Sequence, residues 1–280
     1  MAENFKYAIS FAEEAPMTAP LPFSGDIYEN LRLAANLGYE GLEFHTRENA
    51  SLDIGKIKEV SDECGVKIIT LVTGRLYTQG NLSLLNDDSS IAQAAEEGLY
   101  TYINLAANFG ADLVIGWVKG PIPQDGDREY YRKKIAGQIK RISEYAKEKG
   151  VRLLFEVINR YEVNLFVTAE ESCAFFEEYN LDNCFVHLDT FHMNIDEADS
   201  CAAIRRCGSR LGYFHVADNT RRYPGSGHID FTRILATLKE VGYSGYITVE
   251  CIPEPDRITA AKNAIEHLRA CEKNLGEEIL

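Results

Sequence analysis

No stretch of this chain approaches the roughly 18 consecutive apolar residues that a membrane-spanning helix needs. Its first residues, Met-Ala-Glu-Asn-Phe-Lys, offer neither the basic start nor the apolar core of a secretory signal. Positive charge is scarce: 29 Lys and Arg against 43 Asp and Glu leave a formal charge of −14. Such a surface repels phosphate backbones, which argues against a general nucleic-acid binder. The seven cysteines are odd in number and contain no C-x-x-C pair, so scattered reduced thiols are expected instead of a disulfide framework. Together these absences describe a cytoplasmic protein without a membrane or nucleic-acid partner. Also missing are a G-x-G-x-x-G opening a helix after an early strand, any low-complexity tract and any Pro/Ser linker. Neither a dinucleotide fold nor a second domain is indicated.

What is present is alternation. Short β-branched and aliphatic runs predict strands at Tyr7–Ser10, Gly41–His45, Lys67–Val72, Leu113–Trp117, Leu153–Ile158, Phe185–Asp189, Tyr213–Val216 and Tyr246–Cys251. Apolar residues at helical spacing predict helices over Ile27–Leu37, Ile54–Cys64, Ile91–Phe109, Tyr130–Lys149, Ala169–Glu178, Phe231–Val241 and Ile258–Leu275. Several of these close on glycine just before the next strand, as in Leu37-Gly38 and Cys64-Gly65, where the left-handed residue that stops a helix costs least. Eight strand–helix units, about 35 residues each, predict a single-domain (β/α)8 TIM barrel over residues 1–280, with a doubly wound open sheet as the alternative. The longest irregular piece, Ala12–Phe23, carries three prolines and could fold over the barrel mouth as a lid.

Parallel barrels keep their chemistry at the C-terminal ends of the strands. Four consecutive predicted strands offer a titratable residue there: Glu156, Asp189, His215 and Glu250, at separations of 33, 26 and 35 residues. Each is flanked by apolar residues, where an unpaired charge costs several kcal/mol unless it is paired or bound to a metal. Any one of the four is equally well explained as an ordinary buried ion pair; four in register are not. Three carboxylates and one imidazole suit Mn2+ or Mg2+, with Co2+ and Zn2+ also accommodated. Glu162, His192 and Arg221 follow at offsets of six, three and six on the succeeding loops, where polar side chains can orient a polyhydroxylated ligand. Arg222 competes with Arg221 on equal terms. His45 could line the pocket, while His187 and His228 have no evident partner. Gly225-Ser-Gly227 reads as a plain turn ahead of a phosphate loop. Arg75, Lys119 and Arg221 fall near strand ends and could together pair with a substrate carboxylate.

The segments Phe155-Glu-Val-Ile-Asn-Arg-Tyr-Glu162, Asp189-Thr-Phe-His-Met-Asn-Ile195, and His215-Val-Ala-Asp218 through Pro224-Gly-Ser-Gly-His-Ile-Asp230 carry a resemblance that Thr248-Val-Glu-Cys-Ile-Pro253 completes. Here the sequence resembles the sugar isomerase/epimerase superfamily of xylose-isomerase-like TIM barrels. Within it the ketose 3-epimerases of the D-tagatose/D-psicose and 5-keto-L-gluconate type are most similar. The resemblance implies one divalent metal, commonly manganese, on Glu156, Asp189, His215 and Glu250, and sugar contacts from Glu162, His192 and Arg221. It implies inversion of a carbon α to the ketone through a cis-enediolate, with Glu156 and Glu250 on opposite faces as the acid/base pair. The implied partner is a small-molecule sugar or keto-sugar acid, and the number of subunits stays open, a homo-oligomer included. An aldose–ketose isomerase of the xylose or hydroxypyruvate type would use the same metal site. A non-catalytic sugar-binding barrel has no need of a carboxylate on each face of its ligand. An apurinic-site endonuclease relative would need more than six histidines and a basic face.

Overall fold

The computed structural model describes residues 4–47 and 50–277. Its strands are β1 (Lys6–Ala12), β2 (Phe23–Ser24), β3 (Gly41–Phe44), β4 (Lys67–Val72), β5 (Asp112–Ile115), β6 (Leu153–Glu156), β7 (Cys184–Asp189), β8 (Leu211–Val216) and β9 (Tyr246–Val249). All pairings are parallel, and β1 pairs with both β3 and β9, so eight strands close into a TIM barrel while the two-residue β2 sits beside β1. Around it lie α1 (Ile27–Leu37), α2 (Ile54–Cys64), α3 (Gly74–Thr78), α4 (Ser89–Phe109), α5 (Arg128–Glu148), α6 (Ala169–Tyr179), α7 (Thr190–Asp196), α8 (Ser200–Cys207), α9 (Phe231–Glu240) and α10 (Arg257–Glu277). Among the described residues no helix is long and apolar enough to cross a membrane, and all seven cysteines are free.

Helix starts follow from short acceptor side chains. Asp26, Asp53, Asp88, Asp127, Thr168, Asp199 and Asp230 each accept from a backbone N–H of the turn they precede, satisfying donors that a helix cannot satisfy itself. Two helices between β7 and β8 lie outside the sequence expectation. α7 and α8 are seven and eight residues long, too short for a helical period to stand out, and both begin at an aspartate cap. Four strands also end one to two residues before the sequence pattern does, because the backbone turns out into the loops; Glu250 lies just past β9.

The largest apolar cluster packs the outward strand faces against the helices, with Tyr7, Ile9, Phe11, Leu42 and Phe44 among its members. A second, small cluster of Val72, Val114, Leu154 and Tyr213, backed by Ile69, Phe185 and Tyr246, fills the barrel. Side chains alternate along a strand, so Leu154 shares a face with Glu156, Phe185 with Asp189 and Tyr213 with His215. Glu156, Asp189 and His215 therefore lie above these apolar side chains. The segment after β1, expected as a lid, is tied down: Arg257 donates to the carbonyls of Leu21 (2.7 Å) and Ala15 (2.6 Å), Arg75 to that of Glu14 (2.8 Å), and Thr46 Oγ1 to Glu13 (2.9 Å).

Candidate active site

Glu156, Asp189, His215 and Glu250 meet at the C-terminal mouth. One ligand atom from each lies within 4.8 Å of all the others, and every one of these side chains is buried. His215 is the axis of the arrangement. Its Nε2 donates to Glu43 Oε2 at 2.8 Å. Its Nδ1 makes no hydrogen bond, although it is buried, and faces Glu250 Oε2 at 3.4 Å and Asp189 Oδ2 at 3.8 Å. A buried ring nitrogen aimed between two carboxylate oxygens, with its opposite nitrogen held by a third carboxylate, fits the arrangement of a metal-ligating histidine.

Arg221 supplies a guanidinium. Its Nη1 donates to Asp189 and its Nη2 to Glu250, and the plane lies over the Phe191 ring, 5.0 Å from its centroid. Arg221 sits in the left-handed region at φ +61°, and the kink separates it from Arg222, which points outward to pair with Glu254 at 2.6 Å. The competition between the two arginines is thus resolved by backbone shape. The loop that holds Arg221 winds around the buried Asp218. That carboxylate accepts from the N–H groups of Asn219 (2.9 Å), Gly225 (2.9 Å), Gly227 (2.8 Å) and Ile229 (3.1 Å). The amides of Gly225 and Gly227 therefore serve a protein carboxylate, while that of Ser226 donates to the Tyr223 carbonyl.

His192 approaches Glu156 Oε1 with Nε2 (3.9 Å), while its Nδ1 accepts from Asn159 Nδ2 at 2.7 Å. Asn159 Nδ2 also donates to Glu162 Oε1 (2.8 Å), and Trp117 Nε1 to Glu162 Oε2 (2.9 Å). Burial lowers the pKa of His192 from its ordinary value, against the pull of Asp189.

Burial and the neighbouring Glu250 push the Glu156 carboxyl up to about 8. In Glu250 burial acts the same way, but Arg221 and His215 outweigh it and hold the group below its ordinary range. In His215 burial opposes the charge, and the facing Glu43 and Glu250 overcome it, raising the pKa well above 6.5. The protein charges thus set two facing carboxyls apart, one inclined to hold a proton and the other to take one.

Sequence reasoning assigned no role to Glu43, Asn159 or Asp218. Glu43 is fully buried and accepts from Ser10 Oγ (2.6 Å) and His45 (3.0 Å) besides His215; the available signal was a lone carboxylate in the apolar run Gly-Leu-Glu-Phe. The three cations expected to share a substrate carboxylate do not converge. Arg75 is spent on the Glu14 carbonyl and Arg221 on two carboxylates. Lys119 is buried, donating to the carbonyls of Ile115 (3.2 Å) and Glu156 (2.5 Å), its ammonium pulled down to about 8 by burial. His187 is fully buried with both ring nitrogens unpartnered, packed edge-on against His215 at 4.1 Å between centroids.

Residues 31–271 match the family described as xylose isomerase-like TIM barrel. The L-ribulose 3-epimerase of Methylomonas sp. (strain DH-1) is 31% identical, over 78% of this chain and 75% of its own. The L-ribulose 3-epimerase of Mesorhizobium japonicum is 35% identical, over 76% and 71%. A crystal structure of D-allulose 3-epimerase from Methylomonas sp. in complex with D-allulose aligns with a TM-score of 0.79 at 27% identity, covering 95% of this chain and 96% of that one.

Proposed function

This chain belongs to the xylose isomerase-like TIM-barrel family, and from that membership we propose that it inverts a carbon next to the ketone of a small ketose or keto-sugar acid. It is an isomerase whose relatives include sugar epimerases. One observation carries the reading: three carboxylates and an unpartnered imidazole nitrogen converge at successive strand ends, with Glu156 and Glu250 both among them. Glu156, Asp189, His215 and Glu250 would hold one divalent ion, Mn2+ being the expected one. When bound, that ion supplies Lewis-acid stabilisation of the charge that develops on the ketone oxygen.

The protein groups then divide the remaining work. Glu156 and Glu250 form the acid/base pair: one removes the proton α to the ketone and the other returns one from the opposite face, the roles exchanging in the reverse direction. His192, oriented by Asn159 through Nδ1, presents Nε2–H toward the sugar beside Glu156. Glu162, steadied by Trp117 and Asn159, accepts from a hydroxyl, and Arg221 adds a cationic donor.

The test is a turnover in D2O with added Mn2+, using D-allulose and L-ribulose as probes. Deuterium at the inverted carbon is expected, because a carboxylate that carries the proton exchanges with water. Turnover without solvent label would replace this reading with the hydride-shift chemistry of an aldose–ketose isomerase. Glu250→Gln should lower kcat by about 10²–10⁴, since an amide cannot relay a proton.

A further inference from the structure

We infer that Lys119 is a positioning residue for Glu156, resting on the reading of Glu156 as an acid/base group. Gly116 starts and Lys119 ends a single tight turn, Trp117–Lys119, which follows directly from β5. The Lys119 side chain runs back under that turn. Its ammonium lies 4.5 Å from the centroid of the Phe155 ring and donates to the main-chain carbonyls of Ile115 and Glu156. These carbonyls stand at the C-terminal ends of β5 and β6, where Ile115 with Phe155 is the last pair between the two strands and Glu156 still pairs with His187 of β7. The ammonium thus bridges two strand ends where the pairing between β5 and β6 has run out.

A buried ammonium without a carboxylate partner is expensive. Lys119 is 1% exposed, and neither of its acceptors is a side chain. The position it holds is specific. Glu156 Oε2 lies against the Cα of Gly116, so close that a methyl group there would overlap it. The main chain of Glu156 is therefore gripped by Lys119 and its carboxyl is seated on Gly116, at the two ends of one turn. Trp117, between them, reaches up to Glu162. One short turn registers the acid/base group and a sugar-facing carboxylate against each other.

The experiment uses the full-length Mn2+-loaded protein and a ketohexose deuterated at C3. In Lys119→Met, metal content and KM should stay near wild type. Turnover should fall about 10- to 100-fold, as for a displacement of the order of 1 Å in a reacting group, and the substrate isotope effect on kcat should rise as C–H cleavage becomes slower. Lys119→Gln keeps two N–H donors without the charge and should recover most of the rate. Turnover within twofold of wild type, an unchanged isotope effect, or loss of metal in place of rate would overturn the inference. Should Lys119→Met not fold, Lys119→Leu is read the same way, because it removes the ammonium from the Ile115 and Glu156 carbonyls and leaves Gly116 and the Glu156 carboxyl unaltered. A wild-type protein that never washes solvent deuterium into product would defeat the epimerase reading itself, a separate outcome.

Discussion

The two halves of the barrel end their strands differently. β6, β7, β8 and β9 finish at or beside Glu156, Asp189, His215 and Glu250, whereas β1, β3, β4 and β5 finish in Ala12, Phe44, Val72 and Ile115. Yet the first half is not inert. Its polar residues sit one level deeper: Ser10, Glu43 and Thr70 form a buried chain that crosses the barrel to His215 and, through Tyr213, to Thr248. One half presents the candidate ligands, and the other holds His215 from below. Arrangements of this kind need both layers, because a ligand free to rotate loses part of its affinity to entropy.

The strongest way to break the comparison is to remove a donor from the second half. His215→Ala should abolish metal binding and turnover together while the barrel stays folded, with destabilisation of about 1–3 kcal/mol from the partner that Glu43 loses. Elemental analysis and circular dichroism decide it; full metal occupancy would remove His215 from the site. A subtler cut falls in the first half. Glu43→Gln replaces none of the four predicted ligands, but it takes the carboxylate from His215 Nε2, and metal affinity should drop about 10- to 100-fold. An unchanged Kd for Mn2+ by calorimetry would show that the two halves are not coupled through Glu43.

The smallest effect belongs to the helical shell of the first half. Arg141 clamps Glu96 with bonds of 2.9 and 2.6 Å between α5 and α4. Burial works against the Glu96 charge, but Arg141 and Tyr100 outweigh it and lower the pKa. A depressed carboxylate contributes stability above its unfolded pKa and loses it as pH falls through the folded value. Arg141→Met should therefore destabilise by up to ~1 kcal/mol at neutral pH, shrinking in acid, with metal binding untouched. Tm measured against pH checks the sign.

Much of this architecture was legible because its signals are local. The bounds of α1 and α2 coincide with expectation since an aspartate opens each and a left-handed glycine closes each. Register made the four donors visible: one titratable residue per strand end, spaced by one unit. α7 and α8 carried too few residues to show a period. Glu43 was passed over because its partner, His215, is 172 positions away, and a carboxylate in an apolar strand gives no hint of which distant ring it will meet. Arg221 and Arg222 are indistinguishable as letters; only a positive φ turns one inward.

By itself, then, the sequence determined the alternating strand–helix period, the helix caps and the strand ends at which Glu156, Asp189, His215 and Glu250 fall, since each depends on side chains within a turn or two. Barrel closure alone decided what those residues meet. It put Glu43 beneath His215, wound the 218–230 loop around Asp218, and drew Lys119, by its letter a solvent-facing cation, under the main chain of Glu156. Those contacts join segments far apart in the chain, and their cost and gain appear only when water is excluded from between them.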